Sequence, residues 1–469
     1  MSEATLAFSA PMAKPATATA AVTELGISAR IERLPFSRWH FRVLSAVGLC
    51  HFFDAFDALT IAFVVPALVS QWHIGAPEIG LLISAGYVGQ LIGAIGLGAV
   101  AEKAGRVPII RCALVFIGLL SLACAFAGNL QVLIALRLVQ GIGLGAEVPV
   151  GASYINEVCP ARIRGRTVFF LQAIFALSTS VTAIVAAAIV PAFGWQSMFV
   201  VGALPLLVAL VFARIVPESP RWLANRGRLA EADAIVTDME TSASQGGTVP
   251  LGEPVEQSLP IRHSAKFSDL FSPEFRSRTF GVWVIGFCLS FTGYGLLVWM
   301  PTLYRTVYHL PVETALRYGI VQNVASVIGA IAGLLIIDYL GRRLTFLVGF
   351  LGAAAPLFYL WTVGISVDVS VVLTCAATAM LFISMLLAGI FVYLPEIYPT
   401  RMRALGAGIG SAWLRIASIC GPLIVAALLT QASISAVFLA FASASVVGAI
   451  AVLTTVVETR GKRLEEIAQ

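Results

Sequence analysis

Apolar stretches of about twenty residues alternate with short polar segments along most of this chain. Roughly 20 helical residues cross the hydrocarbon core of a bilayer, because each adds about 1.5 Å to a thickness of about 30 Å. The pattern therefore predicts an all-α polytopic membrane protein with about twelve spans in two sets of six. The first set covers residues 42–70, 79–100, 107–127, 131–155, 167–190 and 196–216, and the second covers residues 281–304, 319–340, 344–364, 370–394, 404–430 and 433–457.

The polar segments delimit the domains. Residues 1–36 are rich in Ala, Thr and Pro and lack an apolar core followed by a cleavage site, which predicts a disordered cytoplasmic tail and not a signal peptide. We expect a six-helix bundle over 37–216 and a second over 281–457. Between them, 217–280 predicts a linker with short helices and a flexible Gly/Ser/Pro-rich middle, and 458–469 form a short cytoplasmic tail.

Composition supports a membrane protein and excludes other classes. The chain is 59% hydrophobic and 12% charged, with a mean hydropathy of +0.92, which no soluble core requires. The net charge of +5 comes from Lys and Arg in short loops, so nucleic-acid binding is not expected. Seven scattered cysteines without a CxxC pair predict neither a disulfide framework nor zinc.

Lys and Arg are distributed unequally between the two sets of loops. One set carries nearly all of them, including Arg106, Arg164, Arg221, Arg342 and Arg403, and the opposite set carries few. The positive-inside rule then places both termini and the linker in the cytoplasm, with the protein in a bacterial inner membrane.

Acidic and basic residues recur at matching places in the two halves. Both halves have a short loop with an acid, a glycine turn and a basic residue, and further acid/base pairs follow the later spans. The members are Glu102, Arg106, Glu157, Arg164, Glu218 and Arg221 in the first half, and Asp338, Arg342, Glu396 and Arg403 in the second. We expect charge networks that hold the halves together on the cytoplasmic side when the outer side is open.

Two motifs carry a resemblance to the major facilitator superfamily. They are the loop Gly98–Arg106, with Glu102 where the family usually has Asp, and the run Arg137-x-x-Gln140-Gly141-x-Gly143-x-Gly145. The resemblance implies two pseudo-symmetric six-helix bundles, alternating access around a central cavity, and a monomer. Glycines of the second and eleventh spans, such as Gly89, Gly93 and Gly410, recur at near-helical spacing and predict a sliding interface between the halves.

The branch within the superfamily rests on finer segments. The stretch Pro217–Leu223 resembles sugar porters, but the seventh span, Gly286–Trp299, lacks their paired glutamines. The segments Gly145–Val150 and Gly410–Ser418 are similar to the branch of bacterial niacin and aromatic-acid transporters. This implies proton-coupled uptake of a small organic monocarboxylate such as nicotinate. A sugar or organic-cation porter is the alternative, and a channel, a receptor or a facilitator without proton coupling also fits the spans.

Arg415 lies near the middle of an apolar run and is the strongest functional clue. Insertion of arginine at the centre of a membrane helix costs about 2.5–3.5 kcal/mol, so the side chain should face a cavity or an anion. A guanidinium binds a carboxylate through two parallel hydrogen bonds. Arg415 either binds the anionic substrate or is neutralised by Glu147 or another acid.

Aromatic and amide side chains inside the spans complete the predicted substrate site. A flat aromatic acid needs ring faces, and buried amides need partners in a cavity. The candidates are Tyr294, Trp299, Tyr393 and Trp413 for the ring and Gln90, Gln172, Gln322 and Asn323 for the polar lining. Each aromatic could equally pack against lipid or other helices.

Intramembrane acids are candidates for proton coupling. His51, Asp54 and Asp57 project from roughly one face of the first span. The resemblance favours Asp57 as the proton-linked aspartate with Arg137 as its partner, although the two could also form a permanent pair. Glu147 could be a second proton site, a counter-ion of Arg415 or a local partner, and His51 is expected to be a packed histidine.

Other chemistry has little support in this sequence. No two of the five histidines stand at metal-ligand spacing and no nucleophile and base stand together, so neither an enzyme nor a metal site is expected. A Gly-x-x-x-x-Gly-Lys-Ser/Thr loop does not occur, so ATP-driven transport and cofactors are not expected either.

Overall fold

The computed structural model describes residues 23–246, 250–253, 266–399 and 402–459. Within these residues all regular structure is helical, and twelve helical segments are long and apolar enough to cross a membrane. The first half contains α1 (Glu24–Glu32), α2 (Arg38–Trp72), α3 (Ala76–Ala104), α4 (Arg106–Ala125), α5 (Leu130–Val158), α6 (Ala161–Phe193), α7 (Gln196–Val201), α8 (Pro205–Ile215), α9 (Pro220–Asn225) and α10 (Leu229–Ala243). The second contains α11 (Arg276–Thr306), α12 (Val312–Leu340), α13 (Arg342–Val363), α14 (Val369–Glu396), α15 (Arg403–Gln431) and α16 (Ile434–Thr455).

The helices agree with the predicted spans but extend beyond most of them. The first span, predicted over 42–70, runs from Arg38 to Trp72, because Ser37 caps its start and His73 ends it in the left-handed region with φ of 53°. The sixth span is divided into α7 and α8 at residues 202–204, and Pro205 begins the second piece. The side chains of Asn129, Asp368 and Ser433 cap the starts of α5, α14 and α16 in a similar way.

Close packing within each half depends on glycine. A Cβ on Gly93 of α3 would lie 1.9 Å from the carbonyl oxygen of Ile142 on α5, and one on Gly329 of α12 would lie 1.9 Å from that of Leu381 on α14. Gly410 of α15 similarly faces Leu394 of α14. The prediction that these glycines form the interface between the halves is therefore wrong, because they allow neighbouring helices of one half to touch.

The two halves meet at the ends of the helices far from Arg106 and Arg342. We call the end that carries these arginines the basic face and the other end the opposite face. The Ser84 hydroxyl of α3 donates to the Ile419 carbonyl of α15 at 2.7 Å, and Arg305 Nε of α11 donates to Ser70 Oγ of α2 at 3.0 Å. Both contacts lie toward the opposite face.

The N-terminal segment differs from the predicted disordered tail. Residues 1–22 lie outside the described part of the chain, but Thr23 caps α1, and Ile27 and Ile31 are buried. Glu32 accepts hydrogen bonds from Arg221 at 2.6 Å and from the Ala161 N–H at 2.7 Å. Apolar burial and these polar contacts together offset the entropy of ordering a short helix, so the disorder prediction fails from residue 24 onward.

Charged contacts between α1 and α10 hold the same segment. Arg30 forms ion pairs with Asp233 and with Glu240, the latter at 2.7 Å, and Arg33 lies 2.6 Å from Glu240. Helices α9 and α10 belong to the segment 217–280, in which 247–249 and 254–265 lie outside the described residues. The N-terminal helix and the linker helices thus form one layer over the basic face of the first half.

Candidate functional site

Arg415 projects from α15 toward α3 of the other half. Its Nη1 donates to Gln90 Oε1 at 3.2 Å, and no ion pair within 4.0 Å joins it to a carboxylate among the described residues. Glu147, the counter-ion considered from the sequence, contacts His51 instead. The arginine is therefore held in place by a neutral amide, which leaves its charge available for an anion.

Two tyrosines lie beside this guanidinium. The ring of Tyr87 on α3 meets the ring of Tyr294 on α11 edge to face, with centroids 5.8 Å apart and an interplanar angle of 69°. Both phenols lie within electrostatic range of Arg415. A cation and a pair of aromatic rings contributed by both halves are the groups that a planar acid requires.

A cavity of about 80 Å³ adjoins Tyr294 and lies between α6, α11, α12 and α14. Its lining is mainly apolar, and its polar members are Gln172, Thr179, Ser290, Tyr294, Ser326 and Ser384. The Ser326 and Ser384 hydroxyls are 2.7 Å apart. This mainly apolar lining suits a molecule with an apolar body and few polar groups.

Asp57 and Arg137 form a buried pair inside the first half. Arg137 Nη1 lies 3.3 Å from Asp57 Oδ2, and it also donates to Gln140 Oε1 at 2.8 Å. Ser121 donates to the other Asp57 oxygen at 3.1 Å. Asp57 has no exposed surface and Arg137 is 2% exposed. The two residues form a buried ion pair in this structure, in which Arg137 Nε has no hydrogen-bond partner among the described residues.

His51, Asp54 and Glu147 form a second buried cluster, which we call the acid–histidine cluster. His51 Nδ1 lies 3.2 Å from Glu147 Oε2, and one polar atom from each of the three residues lies within 4.8 Å of the others. The Oδ1 atom of Asp54 has no hydrogen-bond partner among the described residues. Because His51 and Glu147 already satisfy each other, the cluster is better described as an acid–base group than as a metal site.

Sequence reasoning did not assemble this cluster. It noted the three-residue spacing of His51 and Asp54 and treated the histidine as packing. The available signal was that two titratable residues on one helical face require a polar partner on the facing helix. Glu147 on α5 is that partner, and only helix packing shows it.

Comparison with known proteins agrees with this architecture. A family model described as sugar (and other) transporter matches residues 55–469. The chain belongs to this family of the major facilitator superfamily. It is 33% identical to a niacin transporter of Acinetobacter baylyi, covering 94% of this chain and all of that protein, and 31% identical to a 4-hydroxybenzoate transporter of Pseudomonas aeruginosa, covering 87% of this chain and 90% of that one.

A solved structure shows the same fold. The xylose transporter of E. coli, in a partially occluded inward-open conformation, superimposes with a TM-score of 0.70 at 21% identity, covering 91% of this chain and all of that one. The predicted superfamily and the twelve-helix fold are thus confirmed, and this chain is a membrane transporter.

Three of the four predicted ring-binding aromatics lie away from the central cavity. Trp299 is 1% exposed in the helical core, and the Tyr393 hydroxyl accepts a hydrogen bond from the Val457 N–H at 3.0 Å near the basic face. Trp413 packs on Trp283, with centroids 4.9 Å apart, in a separate apolar crevice. Two residues of helix turn through about 200°, so Trp413 and Arg415 face opposite ways. The prediction that these three line the cavity is wrong, and Tyr294 is the one of the four that does so.

Two of the four predicted amides lie at the candidate site, and the other two do not. Gln90 contacts Arg415 and Gln172 lines the cavity. Gln322 donates to the Leu296 carbonyl at 3.0 Å, and Asn323 donates to the Gly319 carbonyl of its own helix at 2.9 Å. Both are buried and absent from the cavity lining, and Gln322 Oε1 and Asn323 Oδ1 have no hydrogen-bond partner among the described residues.

The charge networks on the basic face repeat in the two halves. Arg106 pairs with Glu157 at 2.8 Å and Glu102 at 2.9 Å, while Glu218 accepts from the Arg106 N–H at 3.1 Å. Gly105, with φ of 103°, makes the tight turn, and a Cβ there would lie 2.4 Å from Glu218. A carboxylate at the exposed N–H groups of a helix start is favourable.

The second half contains the equivalent network. Arg342 pairs with Glu396 and Asp338, each at 2.9 Å, and Glu458 accepts from the Arg342 N–H at 3.0 Å. Each network closes within its own half in this structure, so bridging between the halves stays a prediction.

Two other arginines that were predicted to join these networks pair with a different acid. Arg164 and Arg221 pair with Glu32 of α1, at 3.0 Å and 2.6 Å, and not with the acids after the fourth and sixth spans. The side chain of Arg403 lies outside the described part of the structure.

Proposed function

We propose that the protein imports a small aromatic monocarboxylate, with nicotinate as the leading candidate, together with a proton by alternating access. The observation that carries the proposal is Arg415, a mid-span cation whose hydrogen-bond partner among the described residues is the neutral amide of Gln90. The niacin and 4-hydroxybenzoate transporters among its relatives support the same class of substrate.

The substrate carboxylate would bind the guanidinium fork of Arg415. Charge-assisted bidentate pairs are roughly twice as strong as neutral hydrogen bonds, and a partly dry site strengthens them further. Gln90 belongs to the first half and Arg415 to the second, so an anion bound here would contact both halves. Substrate binding would thereby influence how the halves move relative to each other.

The aromatic ring would lie against Tyr87 and Tyr294 and extend into the cavity. Gln172 and Ser290 line that cavity, and the Ser290 hydroxyl has no hydrogen-bond partner among the described residues. A pyridine nitrogen or ring hydroxyl could bond to these groups. The position fits a short planar acid better than a long aliphatic one.

We infer the orientation of the protein in the membrane from the distribution of Lys and Arg. We assign the basic face, both termini and the linker to the cytoplasm of a bacterial cell and the opposite face to the outside, by the positive-inside rule. With this orientation, contacts between the halves such as Ser84 with Ile419 lie toward the outside, which supports an inward-facing state. We propose that the protein works as a monomer. The candidate residues for proton coupling are Asp54, Asp57, Arg137 and Glu147.

A sugar porter is the second candidate. Hydroxyl and amide groups on the cavity wall, including Gln172, Ser326 and Ser384, could bond to a polyol. The fold shared with a xylose transporter is compatible with this alternative but does not identify a substrate. Arg415 favours the anion.

Uptake into proteoliposomes tests the proposal. Labelled nicotinate should enter under an inward proton gradient and be displaced by unlabelled nicotinate or benzoate, but not by glucose or choline. Arg415→Ala should weaken binding about 10- to 150-fold, which corresponds to the roughly 1.5–3 kcal/mol of a hydrogen-bonded charge. Arg317→Ala is the control, since its side chain is 68% exposed beside Glu313.

Arg415→Lys adds a test of geometry. Lysine keeps the charge but loses the fork, so affinity should fall between wild type and the alanine variant. Nicotinate uptake that survives in Arg415→Ala would contradict anion binding at this residue. Competition by glucose with no nicotinate transport would favour the sugar porter.

A further inference from the structure

The sixth span is interrupted where it passes the buried pair of Asp57 and Arg137. In a regular helix the Ala203 N–H would bond to the Phe199 carbonyl, four residues earlier. In this structure the Ala203 N–H bonds instead to the Val200 carbonyl at 3.1 Å, at the junction of α7 and α8. The Phe199 carbonyl is thereby freed from the helical ladder and is open to a donor from another helix.

Ser121 of α4 is the donor that reaches this carbonyl. Its Oγ lies 2.9 Å from the Phe199 oxygen and 3.1 Å from Asp57 Oδ1. Both Ser121 and Asp57 are fully buried. Three oxygens from α2, α4 and α7 thus form a short buried row, which we call the oxygen chain.

Gly202 allows the interrupted span to come this close to the ion pair. A Cβ at Gly202 would lie 2.4 Å from Ser121 Oγ and 2.8 Å from Asp57 Oδ1, distances at which atoms collide. A larger residue would displace the hydroxyl or the carboxylate. The glycine therefore makes the oxygen chain possible, because the sixth span borders the carboxylate with its backbone and not with a side chain.

The oxygen chain has one hydrogen too few when Asp57 is ionised. A serine hydroxyl carries a single hydrogen and can accept two hydrogen bonds. Ser121 can donate that hydrogen to the carboxylate or to the Phe199 carbonyl, and the other acceptor then lacks its bond. With a proton on Asp57 Oδ1 both bonds form, because Asp57 donates to Ser121 and Ser121 donates to Phe199. Since unpaired buried polar groups are costly, the chain is complete only in the protonated state.

Arg137 keeps polar contacts when Asp57 becomes neutral. It donates to Gln140 Oε1 at 2.8 Å and to the Asp57 main-chain carbonyl at 3.3 Å, and neither acceptor depends on the charge of the carboxylate. Its bond to the carboxylate itself weakens, because a guanidinium binds a charged acceptor more strongly than a neutral one. Proton uptake by Asp57 therefore loosens the link between α2 and α5 without leaving the guanidinium unbonded.

A small set of other titratable groups faces this pair. Asp54 of the same helix and Cys124 of α4 lie within electrostatic range of Asp57. Helix α3 contributes Tyr87, which lies within range of Arg137, and the sequence of α7 contains no titratable residue. A response of transport to pH at this site thus depends on Asp57 and its charged neighbours. The serine hydroxyl modulates that response without titrating itself.

We propose that Ser121 is a positioning residue for proton coupling, and that it reverses its hydrogen bond with Asp57 in each transport cycle. A proton binds Asp57 Oδ1, the new O–H donates to Ser121 Oγ, and the serine hydrogen turns from Asp57 to the Phe199 carbonyl. Release of the proton reverses these movements, so one proton is gained and one is lost per cycle. This rests on the proposed function, because it describes how Asp57 holds the proton of that cycle.

Substitution of Ser121 in reconstituted protein provides the test. Nicotinate uptake is measured against external pH at a fixed internal pH. Counterflow, the exchange of labelled for unlabelled nicotinate at equal acidic pH, shows that a variant folds, binds and alternates. In Ser121→Ala the protonated form loses two hydrogen bonds and the ionised form loses one. Half-maximal uptake should therefore move about one pH unit toward acid, a roughly tenfold loss of proton affinity, with counterflow retained.

Two further variants complete the test. Ser121→Cys has a similar size but hydrogen-bonds weakly, so it should shift the pH profile in the same direction, and it serves if Ser121→Ala does not reconstitute. Ser445→Ala is the matched control, because Ser445 is equally buried and donates to the Phe441 carbonyl of its own helix at 2.9 Å. Its pH profile should equal that of wild type. Titration of nicotinate itself affects every variant alike and cancels in the comparison.

The outcomes are distinct. Wild type without nicotinate uptake and counterflow contradicts the proposed function itself. If wild type transports nicotinate, the role of Ser121 is overturned by an unchanged pH profile or an alkaline shift in its variants. It is also overturned if both variants lose counterflow at acidic pH, or if Ser445→Ala shifts equally. An acidic shift in the Ser121 variants, with counterflow intact and Ser445→Ala unchanged, supports it.

Discussion

The buried pair of Asp57 and Arg137 gives a quantitative test of its structural role. The charged atoms are 3.3 Å apart. Coulomb's law at an effective dielectric constant of about 20 gives an attraction of roughly 5 kcal/mol at that distance. Asp57→Asn preserves the side-chain shape and an oxygen for Ser121 but leaves the guanidinium without a counter-charge. We expect the free energy of unfolding to fall by about 3–5 kcal/mol, as when other buried pairs lose one partner.

Removing both charges should restore most of that loss. In Asp57→Asn with Arg137→Gln no buried charge is left unpaired, and the remaining polar groups can bond to Gln140 and Ser121. Thermal unfolding of the purified protein in one detergent measures both variants. Asp238→Asn is the control, because its pair with Arg42 is exposed and 3.5 Å long, and it should change little. An Asp57→Asn protein as stable as wild type, or a double variant no better than the single one, would refute the structural role.

Two further predictions concern packing and pH. Gly93→Ala should destabilise the protein by about 1–3 kcal/mol or more, because its Cβ would collide with the Ile142 carbonyl. Gly96→Ala is the control and should not destabilise the protein, because a Cβ there meets no atom within 4 Å. Thermal unfolding of both variants measures the difference. Burial opposes ionisation of Glu32, but hydrogen bonds from the Ala161 N–H and Arg221 more than offset it and lower the pKa of Glu32 below its ordinary value of 4.5. A lowered folded-state pKa means that this contribution is complete above about pH 4.5 and is lost as the pH falls through the lowered value, so hydrogen exchange of α1 should rise only in acid. Equal protection of α1 at neutral and strongly acidic pH would contradict the role of Glu32.

Local patterns predicted the helices because each local pattern has a direct physical cause. A run of apolar residues long enough to cross the bilayer must satisfy its backbone groups internally, and a helix does this without outside partners. The turns at Gly105 and Gly341 could also be predicted locally, because backbone φ angles of 103° and 83° favour glycine. The helical structure of the N-terminal segment could not be predicted from local patterns, because the residues of α10 that bind α1 lie about two hundred positions away in the chain.

The site was only partly predictable. Arg415 and Asp57 stood out because a charge inside an apolar run is costly wherever the helix packs. Trp413 and Tyr393 were misassigned because an aromatic ring is favourable against lipid, a neighbouring helix or a ligand, so its type does not reveal its direction. The assembly of His51 with Glu147 joins residues on separate helices, and no spacing along the chain encodes it.

The sequence by itself determined that this is a twelve-helix membrane transporter, with basic loops on one face and a fixed cation in mid-span, because span length, charge and turn residues act locally. Only the tertiary structure decided which polar groups meet. It joined Arg415 to Gln90 rather than to an acid, closed the Asp57–Arg137 pair, and separated the acid–histidine cluster from both. The physical reason is that helix rotation and packing, set by glycine contacts across each half, determine which face of a span is turned toward the cavity.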